Sequence, residues 1–430
     1  MAPQLTLQAP LELPPQDVSD YLGRLWNGGE QDSTSSGAAT FSLLVWQPSW
    51  IEQHLVRLGR LDGPITGLER SELLQAARAA VPACGLPLST SPLAPELAWQ
   101  LGQLPGEQQS EDLRGQHVDP AISLHQPRRL ITLAPSLDSH QHLETLVAAY
   151  CPLPEDGPAS SVCGDVVVMR GGMEALQRGL SMVNPLIPAE LPCWVWWNGP
   201  LDEAPDVFEG ISQAPRRLII DTAIGTPARS LDVLSQRAAA GQAISDLNWY
   251  RLSSWRENLA MVFDHPGRRD ALAHVVQLDI DVQGHQPVQG LLMAAWIANR
   301  LGWSLESSNH CDGDGISASF RRPDGVAVQF RQMPVPVGEP STHPGSIVGL
   351  RLVCRPEHRA PLCVILCGET GGCMRLEAGG MARMELVEQV VTSSIESAQR
   401  EVSRTLRGGH DSTNPLLAAC VPLASRLLPR

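Results

Sequence analysis

The chain has 430 residues, 43% of them hydrophobic and 18% charged, with a formal net charge of −14. That composition suits a globular protein of two or three domains, and its acidity argues against a nucleic-acid partner. All 32 basic side chains are arginine, which excludes the Walker A lysine, the Schiff-base lysine and any lysine general base.

Residues 1–102 form an N-terminal segment. It starts with an amphipathic helix candidate at Val18–Trp26, followed by an apolar run, 38–46, that reads as a strand. Leu58-Gly59-Arg60-Leu61-Asp62-Gly63-Pro64-Ile65-Thr66-Gly67 precedes a helix from Ser71 to about Val81. This segment, about 52–100, is similar to the small helical repeat of peptidoglycan-binding modules, where glycine and proline set the turn between helices. Residues 103–127 are polar and read as a linker. No run of 18 apolar residues is present, so no membrane span is expected. The start Met1-Ala2-Pro3-Gln4-Leu5 has no export-signal pattern, so a cytoplasmic location is expected, with cysteines reduced by default.

Between 128 and 268, strand candidates at Arg129–Leu133, Asp165–Met169, Pro192–Trp197 and Arg217–Asp221 alternate with helix candidates. The helices are expected at Gly172–Val183, Asp206–Gln213, Leu231–Ala240 and Ser254–Phe263. Such alternation predicts an α/β domain with a largely parallel sheet. From 269 to 408 the pattern changes. Val275–Val282 reads as a strand, Gly290–Leu301 as an apolar helix, and Ile316–Arg321, Val326–Arg331, Ile347–Val353 and Leu362–Cys367 as successive strands. With a closing helix at Met384–Leu406, this predicts an α+β domain with an antiparallel sheet, and 409–430 is taken as a tail.

The chain lacks His-Glu-x-x-His, Gly-x-Ser-x-Gly, Cys-x-x-Cys and Gly-x-Gly-x-x-Gly. Gly171-Gly172 follows a strand candidate and opens a helix, so backbone amides there offer a phosphate cradle, although a tight turn explains two glycines as well. An enzyme binding a sugar phosphate or nucleotide at this turn is the rival reading. His140-Gln141-His142 with Asp138 has no partner cluster and reads as a solvated loop. His310-Cys311-Asp312-Gly313-Asp314-Gly315 starts like a calcium loop but reaches Arg322-Pro323 where the bidentate acid belongs, so it reads as a β-turn. No cofactor and no metal are expected.

Two aromatic blocks stand out. One is Leu191-Pro192-Cys193-Trp194-Val195-Trp196-Trp197; the other is Asp246-Leu247-Asn248-Trp249-Tyr250-Arg251-Leu252-Ser253-Ser254-Trp255-Arg256. Tryptophan and arginine are enriched at interface anchors, while buried tryptophans also simply fill cores. Asn248, Trp249, Arg251, Trp255 and Arg256 are therefore expected either to form a contact surface or to brace one.

Among ten cysteines, Cys363, Cys367 and Cys373 cluster. Gly368-Glu369-Thr370-Gly371-Gly372 suits a five-residue hairpin loop that sets Cys367 opposite Cys373. Opposed residues lie about 4.5–5.5 Å apart at Cα, inside the disulfide window. The alternative is that these thiols pack as small apolar groups.

Trp194-Val195-Trp196-Trp197-Asn198-Gly199, Arg217-Leu218-Ile219-Ile220-Asp221, the Asp246–Leu252 run, Trp255-Arg256 and Ala295-Trp296-Ile297-Ala298-Asn299-Arg300-Leu301-Gly302-Trp303 occur together in order. Over about 128–405 the chain resembles the OpcA family of glucose-6-phosphate dehydrogenase assembly proteins, and its N-terminal module resembles the cyanobacterial branch. The resemblance implies a non-catalytic partner that binds and activates glucose-6-phosphate dehydrogenase in the oxidative pentose phosphate pathway. It also implies a thioredoxin target, active when oxidised, with Cys367 and Cys373 as the responsive pair and Cys363 a competing third thiol.

Overall fold

The computed structural model describes residues 4–27, 41–46, 129–135, 142–152, 164–202, 204–336, 345–369, 373–380, 389–392, 398–407 and 412–429. The chain divides into two compact units. Unit 1 comprises Met1–Gly199, Glu203–Ile219 and Val402–Gly409; unit 2 comprises Pro200–Asp202, Ile220–Glu401 and His410–Arg430. The division thus falls near 219, where a boundary near 268 was expected. The module expected at about 52–100 and the linker at 103–127 lie outside the described residues.

Unit 1 begins with β1 (Gln4–Leu13), α1 (Val18–Asn27) and β2 (Ser42–Trp46). It continues through β3 (Arg129–Pro135), β4 (Glu144–Pro152), β5 (Gly164–Gly171), α2 (Met173–Gly179), β6 (Cys193–Trp197), α3 (Pro205–Ile211) and β7 (Arg217–Ile220). The strand order is β1-β4-β5-β3-β2-β6-β7. The pairs β5–β3, β3–β2, β2–β6 and β6–β7 are parallel, while β4 and β1 add antiparallel strands at one edge. Every residue of β2, β3 and β5 is buried. Parallel strands covered on both faces read as continuous apolar runs for this reason. The expected parallel core is present. The N-terminal strands β1 and β2 belong to the same sheet, whereas 1–102 was expected to stand apart.

Unit 2 contains α4 (Pro227–Ala239), β8 (Ile244–Asp246), α5 (Leu247–Arg251), α6 (Ser253–Asp264), β9 (Val275–Gln283), α7 (Val288–Arg300), β10 (Ser304–Cys311), β11 (Gly315–Arg321) and β12 (Ala327–Val335). It ends with β13 (Ile347–Cys354), β14 (Leu362–Glu369), β15 (Cys373–Gly380), β16 (Gln389–Thr392), α8 (Ala398–Arg407, of which 398–401 belong to this unit and 402–407 to unit 1) and α9 (Pro415–Leu427).

Its sheet runs β10-β11-β12-β9-β13-β14-β15-β16. The pairing is antiparallel except at β12–β9, which is parallel, so the sheet is mixed where a purely antiparallel one was expected. The cause is topological: α7 and the β10–β11 hairpin intervene between β9 and β12, so the chain returns in the same direction. Burial alternates along β9 and β12, with Leu278, Ile280, Val328 and Phe330 turned inward. That is the pattern of a sheet covered on one face.

Helix α7, almost wholly buried, packs on β9 and β12 and against α9. Two expectations change here. The region 384–406 is not one helix, because 389–392 pair as β16 beside β15. The supposed tail carries α9, which buries Leu417, Cys420, Val421, Ala424 and Leu427 and is capped by Asn414. Asn414 Oδ1 accepts from the backbone N–H groups of Leu416 and Leu417, the arrangement that satisfies first-turn donors. The turn read at 310–315 joins β10 to β11, with Gly313 at φ +75° and Asp314 at φ +57°. Glycine and aspartate are residue types that tolerate this left-handed backbone.

Candidate functional site

The run marked by tryptophan and arginine folds as the end of β8, then α5 and α6, and it closes around a buried polar chain. Asp246 ends β8 in extended backbone, and its carboxylate caps α5 by accepting from Asn248 N–H at 3.2 Å. The same carboxylate accepts from Thr222 N–H at 3.0 Å and Thr222 Oγ1 at 2.9 Å. Asn248 Nδ2 donates to Thr222 Oγ1 at 3.2 Å, and Asn248 Oδ1 accepts from Gln289 Nε2 at 2.8 Å. Gln289 Oε1 accepts from Ile347 N–H at 2.7 Å. Four segments distant in sequence are thereby tied together, and Asp246, Asn248 and Thr222 have no exposed surface.

Beside this chain, Arg251 bridges two carboxylates. Nη1 donates to Glu401 Oε2 at 2.7 Å and Nη2 donates to Asp221 Oδ1. All three side chains are 10% exposed or less. Burial opposes the Arg251 charge, but Asp221 and Glu401 outweigh it and hold its pKa above the usual value. Burial, reinforced by Asp221, pushes the Asp246 carboxyl up to about 6, against the hydrogen bonds from Thr222 and the field of Arg251. A carboxylate whose oxygens are all engaged by structural donors within a buried network acts as a brace.

Trp249 is 1% exposed, and the Arg256 guanidinium lies 3.6 Å from its ring centroid in a cation–π contact. Arg256 is half-buried; Nη2 donates to Ser253 Oγ at 3.2 Å, and burial lowers its pKa to about 10. Trp255 is also buried and lies under β14: a Cβ built at Gly368 would sit 3.7 Å from its Cζ2. Of the five residues expected to form or brace a surface, Asn248, Trp249 and Trp255 are therefore interior. Arg251 is locked between acids, and Arg256 is half-buried against the Trp249 ring. The upstream block is core as well. Trp197 stacks on Trp46 at 4.7 Å and 4° and meets Phe208 edge-on, while Arg217 lies over Trp194 at 5.3 Å.

Asp221, Thr222, Gln289 and Glu401 complete the network but were not singled out from the sequence. Asp246 alone carried a local signal, as a capping residue before a short helix.

The hairpin register corrects one expectation. β14 and β15 extend further than predicted, pairing Glu369 with Cys373 and Cys367 with Arg375. Three residues, 370–372, separate the strand ends in place of five. Cys367 and Cys373 are therefore two register positions apart, a diagonal spacing of about 7–8 Å, beyond the range a disulfide bridges without backbone movement. Cys363 shares the face of Cys367, opposite Gly379 and Val353. Burial raises the pKa of Cys363, and raises Cys354 to about 12, Cys193 to about 11 and Cys420 to about 11, so these thiols rest protonated at neutral pH.

At the rival site, a Cβ on Gly171 would lie 3.1 Å from both His142 O and Leu143 Cα. Close backbone approach thus accounts for Gly171, and the helix that Gly172 opens is a single short piece of seven residues. Among the described residues no group of three or more metal-ligating side chains occurs, and no helix is long and apolar enough to cross a membrane.

Fold and site together define a two-unit protein in which an α/β unit precedes an α+β unit and the signature motif is an internal brace. The sequence descriptions "glucose-6-phosphate dehydrogenase subunit N-terminal domain" and "C-terminal domain" of OpcA match residues 119–236 and 242–421. The chain is 32% identical to an OxPP cycle protein OpcA of Synechococcus elongatus, covering 99% of this chain and 98% of that one. It is 29% identical to the OpcA protein of a Synechocystis strain, covering 95% and 91%. The chain belongs to the OpcA family. Among solved structures, glucose-6-phosphate 1-dehydrogenase from Mycobacterium avium is similar at 12% identity and a TM-score of 0.40, covering 91% of each chain.

Proposed function

We propose that the chain is a non-catalytic assembly factor that binds glucose-6-phosphate dehydrogenase and activates it, serving the oxidative pentose phosphate pathway. The observation that carries this reading is family membership over nearly the full length, through domains described as parts of a dehydrogenase subunit. The internal character of the Asn248–Arg251–Gln289 network supports it: that network stiffens a scaffold and presents no reacting group to solvent. Activation requires that the chain bind the competent form of its partner better than the resting form, and its size is limited by that difference. A tenfold gain in substrate affinity corresponds to about 1.4 kcal/mol. Within the motif, the outer side of α6 with Glu257, Ala260 and Met261 is the part available for contact, with Asn248, Trp249, Arg251, Trp255 and Arg256 bracing it.

The activation is redox-sensitive in this reading, with Cys367 and Cys373 as the pair. The two thiols pass two electrons and two protons to an oxidant such as a disulfide or a peroxide to form the bond, and the reduced thioredoxin dithiol returns them. Because the two residues stand diagonally, bond formation has to shift the hairpin, and Gly368 lies directly over Trp255. A hairpin movement is thereby coupled to α6. The test is capture of the dehydrogenase by the tagged chain under oxidising and reducing conditions, repeated with Cys367→Ser and Cys373→Ser. Capture by the oxidised chain, lost in both variants, is the expected result. Capture that ignores thiol state in every protein removes the redox element, and absence of capture throughout removes the partner.

A further inference from the structure

The parallel strands of unit 1 follow one another in the chain as β2, β3, β5, β6 and β7, and lie in space as β5-β3-β2-β6-β7. Numbered by chain order this is third-second-first-fourth-fifth, the order of dinucleotide-binding sheets. In those sheets the cofactor lies across the carboxyl ends of the first and fourth strands. Its pyrophosphate rests on a glycine-rich turn after the first strand, and a ribose hydroxyl is held by an acid near the end of the second. The order therefore implies NAD or NADP, and the residues at each position test the fit.

They do not fit. The first strand ends at Trp46 and continues Gln47-Pro48-Ser49-Trp50, with no glycine before Gly59. The Gly-x-Gly-x-x-Gly pattern that lets a backbone approach a pyrophosphate does not follow this strand in the sequence. The described end of the second strand, Leu133-Ala134-Pro135, offers neither a carboxylate for a ribose nor an arginine for a 2′-phosphate, and the first carboxylate after it in the sequence is Asp138. At the switch point itself, Trp46 and Trp197 are register partners and the last residues of their strands. Their indoles stack face to face at 4.7 Å, both without exposed surface. Asn198 N–H then donates to Trp46 O at 3.2 Å, holding the two strands together past their ends. The crevice normally opens where those strands part.

We infer that unit 1 keeps a dinucleotide-binding sheet whose cofactor place is filled by the protein's own indoles, so that the chain binds neither NAD nor NADP and uses this sheet as a packed scaffold. The inference stands on unit 1 alone and is independent of the partner proposed above.

The experiment titrates the full-length chain, freed of any dehydrogenase, with NADPH, NADP, NADH and NAD. Equilibrium dialysis and the thermal midpoint are read together. No saturation up to millimolar dinucleotide and an unchanged midpoint are expected. Saturable binding below that range, or a midpoint that climbs with dinucleotide concentration as ligand linkage requires, overturns it.

Discussion

Arg251 shows what a buried cation does when both neighbours are acids. The pairs to Asp221 and Glu401 are satisfied as built, and removing the centre leaves two carboxylates buried together. Arg251→Met is expected to destabilise the protein by about 3–5 kcal/mol, the cost of breaking a buried pair from one side. Urea denaturation checks this, and a loss under 1 kcal/mol would contradict the bracing role. Asp246 gives a pH dependence of definite sign. Its folded pKa is raised from 3.8 to about 6, so the native state binds this proton more tightly than the unfolded chain does. Its favourable contribution is complete below about pH 4 and is lost as pH rises through about 6, amounting to up to about 3 kcal/mol. Comparing wild type with Asp246→Asn across that window isolates the effect: stability of the wild type relative to the variant should fall as pH rises. A rise in that window would reverse the assignment.

At the scale of elements, the contact of α7 with the sheet is close enough to require glycine. A Cβ on Gly290 would collide with Gln332 Oε1 and lie 3.0 Å from Val282 Cγ1. Gly290→Ala gains about 1 kcal/mol of helix propensity and is nevertheless expected to lower stability by about 1–2 kcal/mol through overpacking. A raised thermal midpoint would show that Gln332 yields freely. The hairpin makes a second prediction. With Cys367 opposite Arg375 and Glu369 opposite Cys373, a cysteine placed at Arg375 faces Cys367 directly. Arg375→Cys in a Cys373→Ser background should form a disulfide faster under mild oxidant than the natural pair does, as mass spectrometry of the digested protein would reveal. Faster bonding of the natural pair would favour the five-residue loop read from the sequence.

Across the whole molecule, the two sheets were legible to different degrees for physical reasons. Strands such as Arg129–Pro135 and Gly164–Gly171 announce themselves because both faces are covered and the apolar run is unbroken. Alternation gave β9 and β12 equally well. β10, Ser304–Cys311, was missed because an edge strand with exposed serines and asparagine carries no such pattern. β4 was missed although its Leu-Val-Ala-Ala core is apolar and turn residues flank it, because so short an apolar run has no period that tells strand from helix. The site was half legible. Tryptophan and arginine marked α5 and α6, but Thr222, Gln289 and Glu401 join them only through tertiary contact, which no local spacing records. The hairpin failed by two residues, since three glycines in five positions gave no means of telling loop from strand end.

The central claim is that this protein alters another catalyst by binding it. The most direct measurement is the glucose 6-phosphate dependence of a purified family dehydrogenase, with and without the oxidised chain, beside a control holding the chain alone. The account predicts a substrate KM reduced about tenfold by the chain, with no turnover in the control. Unchanged dehydrogenase kinetics at saturating chain, or steady NADPH production by the chain alone, would contradict it.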